Sequence, residues 1–311
     1  MTQHSDVSPP PFARRSATPV ATVAIDAELV RGLLRLQCPD LADLPLVKVA
    51  SGWDNEMYRL GDDLAVRLPR RDVAAPNLTN EQRWLPALAD KLPIRVPVPL
   101  FNGTAALGYP FRWSVVNWAV GSTAASSALH PSTASTMATF LAALHAQVPP
   151  GDAPVNPWRG GPLLERTEAV EERLEAVYAR EAGLTVAHAD VLGLWKSACQ
   201  APYDLPGTWI HGDLHPKNLI VEGSEVVMVI DWGDMCAGDP ATDLAVAWML
   251  FESEQVDEFR SAYGGASAAT WLRARGWAIY FGAVLLLTGL VDDPAFAAVG
   301  RNTLNGVAGS W

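Results

Sequence analysis

The sequence predicts an α+β chain in two lobes, an antiparallel sheet with one helix followed by a larger, mainly helical part that carries a β-ribbon. Three observations carry this prediction. Strand-like runs parted by small polar turns follow one another from Val47 to Leu68. Apolar residues at helical spacing dominate from Ser135 onward, and one island of short strands, Trp209 to Ile230, interrupts them.

Taken in order, residues 1–22 are rich in Pro, Ser, Thr and Ala, with prolines at Pro9 to Pro11, and are expected to form a disordered leader. Asp26 is placed to cap a short helix with Leu29, Leu33 and Leu34 on one face. Val47 to Val49, Met57 to Leu60 and Leu64 to Leu68 read as strands around the turns Ser51-Gly52-Trp53-Asp54-Asn55 and Gly61-Asp62-Asp63. Trp84, Leu85, Leu88 and Leu92 predict a helix over Asn80 to Lys91, and a strand pair is expected at Val98 to Phe101 and Arg112 to Val116. Helices are then predicted at Met137–Ala146, Leu163–Ala182 and Ala189–Cys199, with three more after Thr242. Trp209-Ile210-His211 reads as a strand, and Ile220-Val221 with Val226 to Ile230 as a ribbon about Glu222-Gly223-Ser224. These elements divide the chain into a leader (1–22), an N-terminal lobe (23–116), a connection (117–121) and a helical lobe (122–311).

With 311 residues, 49% of them hydrophobic and 18% charged, the chain has the means to bury a large interior. The net charge of −11 argues against nucleic acid and anionic membrane surfaces as partners. Cys38, Cys199 and Cys236 are too few and too far apart for a disulfide framework or a structural zinc site, which fits a reducing cytoplasm. The apolar run Gly276 to Val291 is shorter than the roughly 20 residues of a membrane span and follows Arg273 and Arg275, so it is read as a buried helix. Nothing suggests an obligate partner, and a monomer is expected.

One segment has the texture of a reaction centre. His211-Gly212-Asp213-Leu214-His215-Pro216-Lys217-Asn218 is followed, thirteen residues after Asn218, by Asp231 in Ile230-Asp231-Trp232-Gly233-Asp234. Asp213 and Asn218 share one tight loop that Pro216 stiffens, and Asp231 stands at a strand end. A carboxylate and a carboxamide converging from two strand ends suit a hard cation such as Mg2+, and leave Asp213 to accept a proton from an attacking hydroxyl. Base, Asn and second carboxylate in this order are what phosphoryl transfer requires.

On these motifs the sequence, from about Val47 to Gly306, resembles the aminoglycoside phosphotransferase family, the antibiotic kinases that share the protein-kinase-like fold. The resemblance implies Asp213 as catalytic base, Asn218 and Asp231 as magnesium ligands, and ATP or GTP as phosphate donor. It also implies that Asp243, in Gly238-Asp239-Pro240-Ala241-Thr242-Asp243, buttresses the catalytic loop. Read by itself, Asp243 is a helix-capping residue. His211 is expected to hold the loop. His215 is placed either to reach the γ-phosphate or to pack on the ribbon, and Lys217 either to touch phosphate or to stay solvated. The family's third-strand lysine is replaced here by Arg67, with Glu81 as its expected partner. Arginine is a wider planar fork than lysine and still binds phosphate bidentately. Arg67 with Pro69-Arg70-Arg71 is similar to the macrolide kinases of the family, which draws the acceptor towards macrolides and the donor towards GTP. Ser51 and its turn are expected over the nucleotide phosphates, and Asn117 and Trp118 at the hinge beside the purine, where Trp118 alternatively packs the junction.

The resemblance leaves the acceptor open among aminoglycosides, macrolides and metabolite alcohols such as choline, homoserine or a sugar, and a nucleotide-binding pseudokinase remains an alternative of another class. Charge orders these. Up to Val116 the net charge is +1 and beyond it −12. The run Glu165, Glu168, Glu171, Glu172 and Glu175 reads as a solvated face, while Asp234 is expected to line the site and Glu252, Glu254, Asp257 and Glu258 to approach its rim. A field of that sign favours a cationic acceptor, an aminoglycoside before a macrolide.

Overall fold

The computed structural model describes residues 20–180 and 183–309. The expected leader lies outside them except for its last three residues. Asp26 caps α1 (Ala27–Gln37) by accepting from the Leu29 amide at 2.8 Å, and Val30, Leu33 and Leu34 form its buried face. β1 (Leu46–Ser51), β2 (Asn55–Leu60) and β3 (Leu64–Pro69) form an antiparallel meander, and α2 (Ala75–Ala89) crosses to β4 (Pro99–Gly103) and β5 (Trp113–Asn117). The sheet order is β1-β2-β3-β5-β4, so β3 is central and almost wholly buried. Tyr58, Leu60, Val66, Leu68, Trp113 and Val115 pack with α1 into a small core.

α2 begins five residues before the sequence predicts, because Pro76 falls in its first turn, where no backbone donor is needed. Its Leu85 and Leu88 join the larger C-terminal core and not the core of the sheet. The helix therefore bridges the two, with Glu81 buried opposite β3.

The second part runs through β6 (Ser122–Thr123), α3 (Thr133–His145), α4 (Thr167–Ala179), α5 (His188–Gln200), β7 (Thr208–Ile210), β8 (Leu219–Glu222), β9 (Glu225–Val229) and β10 (Cys236–Gly238). The short α6 (Ala241–Leu244) and α7 (Ala247–Leu250) lead to α8 (Ser253–Tyr263), α9 (Ala268–Asp292) and α10 (Pro294–Gly306). β6 pairs with β8, and β10 with β7. Neither β6 nor β10 is foreseen, since two or three residues carry no readable alternation. The predicted start of the fourth helix at Leu163 is a 3-10 turn, Leu163–Arg166, before α4.

α9 is long and apolar enough to cross a membrane by length and composition. Here its Trp277, Ala278, Ile279, Phe281, Ala283 and Leu286 are buried in the core that α4, α5 and α10 complete. At the junction of the two parts, Gly121 holds φ +148°, and a Cβ there would stand 2.3 Å from the Val221 carbonyl oxygen. Only glycine allows the connection to lie this close to the ribbon.

Candidate active site

β7 ends at Ile210 and the chain turns into the loop 211–218, whose backbone is held from below. Asp243, fully buried, accepts from the amides of His211 (2.7 Å) and Gly212 (2.9 Å) and meets His145 Nε2 at 3.2 Å, while His145 Nδ1 meets the Tyr263 hydroxyl at 2.9 Å. Asp243 thus spends its oxygens on the loop, and its own helix has no side-chain cap. The His211 ring lies 2.9 Å from the Ile230 carbonyl through Nε2 and accepts from the Asp213 amide through Nδ1 at 3.2 Å. Both side chains thus bond to the backbone of this loop.

Gly212 has φ +85°, and a Cβ there would lie 2.6 Å from the Asp234 carbonyl oxygen. Gly212→Ala is expected to lose roughly 2 kcal/mol or more of stability, from left-handed backbone cost plus displacement of the Asp234 segment. A denaturant titration checks this, and a loss under about 0.5 kcal/mol would refute the close approach.

Asp213 meets two partners. Arg159 Nη2 donates to its Oδ1 at 3.0 Å, and His215 Nε2 stands 3.6 Å from its Oδ2. Burial would raise the Asp213 carboxyl, but Arg159 first, then His215 and His211, outweigh it and hold it below the usual carboxylate range. The same Arg159 nitrogen lies 3.2 Å from Asp234 Oδ2, and Asn156 Nδ2 donates to Asp234 Oδ1 at 3.0 Å. Burial raises the Asp234 carboxyl, against the pull of Arg159 and with the repulsion of Asp213.

Asn218 Nδ2 donates to the Asp213 carbonyl at 2.8 Å and lies 3.3 Å from His215 Nε2. The atom it has left for a cation is Oδ1. Asp231 follows β9 with φ +63°, a left-handed backbone that aspartate tolerates better than most residues, and about half of its side chain is exposed. Hard oxygen donors from a carboxamide and an exposed carboxylate fit magnesium, which keeps waters and phosphate oxygens as its other ligands.

Arg67, buried on β3, joins the two parts. Nη1 donates to Glu81 Oε2 at 2.5 Å and Nη2 to Asp231 Oδ1 at 2.8 Å. With its amide oxygen turned inward, Asn55 accepts from Arg67 Nε and Nη2 at 3.2 and 3.1 Å. Burial pushes the Glu81 carboxyl up to about 7, and Arg67 keeps it from rising further. Lys217 is not directed at this group: it pairs with Asp293 and lies 4.0 Å from the centre of the Phe296 ring.

The remaining predicted residues lie further out. Ser51 closes β1, where it pairs with Glu56; its side chain is outside the described residues. Asn117 is exposed at the end of β5, and half-buried Trp118 donates its amide to the Asp63 carbonyl at 2.7 Å. Glu252, Glu254, Asp257 and Glu258 are exposed on or just before α8, and Asp257 pairs with Arg260 at 3.5 Å. Glu252 and Asp257 border a cavity of about 430 Å³. An adjoining one of about 370 Å³ reaches Pro216 of the loop and is lined by Leu129, Met249 and Phe251 together with Ser127, Gln255 and Asn302. No described contact joins the four acids to Asp213. Of the run expected to form a solvated face, Glu165, Glu168, Glu172 and Glu175 are exposed and Glu171 is half-buried. Sequence reasoning missed Arg159 and Asn156, which belong to a loop without periodicity, and placed Asn55 in the turn where it instead opens β2.

This fold and loop have known counterparts. The GDP and kanamycin complex of APH(2")-IIia superposes with a TM-score of 0.63 at 17% identity, over 90% of this chain and 98% of that one. Macrolide 2'-phosphotransferase MphH from Brachybacterium faecium gives 0.57 at 22% identity, over 91% and 97%. In sequence, a homoserine kinase of Methylobacterium nodulans is 32% identical over 126 residues, 40% of this chain and 36% of the relative. The chain spans between a fifth and about a third of the length of the curated relatives it matches. The model of the phosphotransferase enzyme family matches residues 45–277, a span that starts just before β1 and takes in Arg67, the loop 211–218, Asp231 and Asp243. With its buried arginine joining sheet to ribbon above such a loop, this α+β chain has the fold of these phosphotransferases, and it belongs to the phosphotransferase enzyme family.

Proposed function

We propose that the protein transfers the γ-phosphate of ATP or GTP, with Mg2+, to a hydroxyl of a small-molecule antibiotic. The observation that carries this reading is the loop 211–218, where Asp213 is paired with Arg159 and partly exposed while Asn218, held by the same loop, keeps Oδ1 for a cation. Asp213 orients the acceptor hydroxyl and takes its proton as the new O–P bond forms and the bond to the leaving β-phosphate breaks. Asn218 and Asp231 hold magnesium, whose chemistry is to offset charge on the phosphates. Arg67 grips phosphate oxygens once the nucleotide competes for its contact with Asp231, and Glu81 keeps the guanidinium in place. His215, 3.6 Å from Asp213, is near enough to meet the γ-phosphate. The Ser51 turn covers the phosphates, and Asn117 and Trp118 flank the purine. GDP in the APH(2")-IIia complex supports GTP as a donor.

Two acceptor classes have support. The charge of −12 beyond Val116 favours an aminoglycoside, the class expected from composition, and in that reading Asp234, Glu252, Glu254, Asp257 and Glu258 receive its ammonium groups. The immediate surroundings of Asp213 favour a weakly charged, macrolide-like acceptor, since Asp234 is already paired with Arg159. We place the second first. The free thiols of Cys38, Cys199 and Cys236 support a reducing cytoplasm, and a monomer suffices for this chemistry.

The test is incubation of purified protein with ATP or GTP, Mg2+ and kanamycin, erythromycin or homoserine, followed by mass spectrometry. A phosphate added to an antibiotic is the expected result. Nucleotide binding with no phosphorylated acceptor would instead support a pseudokinase, and phosphohomoserine alone a metabolic kinase.

A further inference from the structure

We propose that Arg159 is a specificity-determining residue: its guanidinium fills, from within the chain, the place between Asp213 and Asp234 where an acceptor ammonium would otherwise bind. The proposal rests on the reading of Asp213 as the group that receives the acceptor hydroxyl.

A single nitrogen, Arg159 Nη2, stands 3.0 Å from Asp213 Oδ1 and 3.2 Å from Asp234 Oδ2. That is the geometry of a primary ammonium bridging two carboxylates. The guanidinium is fixed there. Its carbon lies 5.2 Å from the centre of the Phe281 ring and 6.0 Å from that of Tyr280, and Nη1 reaches the Trp158 carbonyl at 3.4 Å. The segment that carries it is pinned to the same acid, because Asn156 donates to Asp234 at 3.0 Å and accepts from the Trp158 amide at 2.8 Å. Arg173 places a second guanidinium 5.5 Å from the Tyr280 ring.

Two consequences follow. With Oδ1 occupied, Asp213 offers Oδ2, beside His215, to the hydroxyl. And the carboxylate pair, which carries two negative charges, presents one to an incoming molecule. Acceptors with an ammonium next to the reacting hydroxyl meet a cation already in position, and acceptors uncharged around that hydroxyl are selected.

Calorimetry with kanamycin as a polyammonium probe tests this without requiring turnover. Arg159→Met is expected to bind kanamycin at least about tenfold more tightly than the parent protein, with a steeper salt dependence, and to gain nothing with erythromycin. The gain should vanish in Arg159→Met/Asp234→Asn and be absent in Arg159→Lys, which keeps the charge. A folded Arg159→Met protein that binds kanamycin no better than the parent overturns the proposal. Should that variant not fold, Arg159→Gln, which keeps much of the side chain's length and polarity and removes its charge, decides, with the same gain in kanamycin affinity expected; unchanged affinity overturns the proposal equally. Failure of the kinase reading would register separately, as absence of phosphate transfer by the parent protein to every acceptor tried.

Discussion

Asp213→Ala is expected to lower the rate of phosphate transfer by about 10²–10⁴-fold, the range for loss of a positioned base, while nucleotide affinity stays roughly unchanged. The reason is the separation of duties in the loop. Its backbone is held by Asp243 through the amides of His211 and Gly212, and by Asn218 through the Asp213 carbonyl, so the Asp213 side chain can be removed without releasing the loop. The phosphate grip expected of Arg67 depends on Glu81 and Asp231 instead. Single-turnover transfer and nucleotide titration measured on the same preparation separate the two. Asp213→Asn, which keeps the shape and loses the charge, should fall nearly as far. Equal losses of transfer and nucleotide binding would show that Asp213 serves the nucleotide and not the acceptor.

Arg273→Ala is expected to cost about 3–5 kcal/mol, because it strands a buried carboxylate. Arg273 is 1% exposed and grips Asp239 with two nitrogens, at 2.7 and 3.1 Å; it also meets Asp204 at 3.3 Å and the Pro202 carbonyl. Asp239 in turn accepts from the Ala241 amide at 3.1 Å and donates its own amide to the Gly160 carbonyl at 2.9 Å. The pair ties α9 to the turn before α6 and to the loop that carries Arg159. At a few degrees per kcal/mol for a chain of this size, the thermal midpoint should fall by about 10 °C. Arg273→Met combined with Asp239→Asn should lose clearly less than Arg273→Ala alone, since it leaves no unpaired charge. A single-variant loss below about 1 kcal/mol in chemical denaturation would remove the pair from the list of structural anchors.

How far these features were legible in the sequence varies with how local they are. The Asp26 cap, the meander and the long helices are set by neighbours a few residues apart, and periodicity or turn chemistry announces them. The start of α2 and the strands β6 and β10 escaped, the first because Pro76 opens the helix early, the others because their length is below any repeat. Asp243 shows the limit of a local rule. An aspartate near a helix start reads as a cap, yet its oxygens go to a loop about thirty residues back along the chain. The acids before and on α8 show the same limit for charge, since composition counts them without saying which ones face Asp213.

The sequence by itself determined the candidate site as a segment: Asp213 and Asn218 in one tight loop, Asp231 thirteen residues beyond, and the strands that present them. Chain connectivity over so few residues leaves little freedom in how these groups meet. The tertiary structure alone decided what acts upon them. Arg67 reaches Asp231 across 164 residues and Arg159 reaches Asp213 across 54. Such contacts are set by how the two cores dock through α2 and by how α9 seats the loop of Arg159, and no spacing along the chain encodes either. The tertiary structure thus set the charge around Asp213, and within an excess of acid counted over the whole chain it formed a carboxylate pair already holding its own cation.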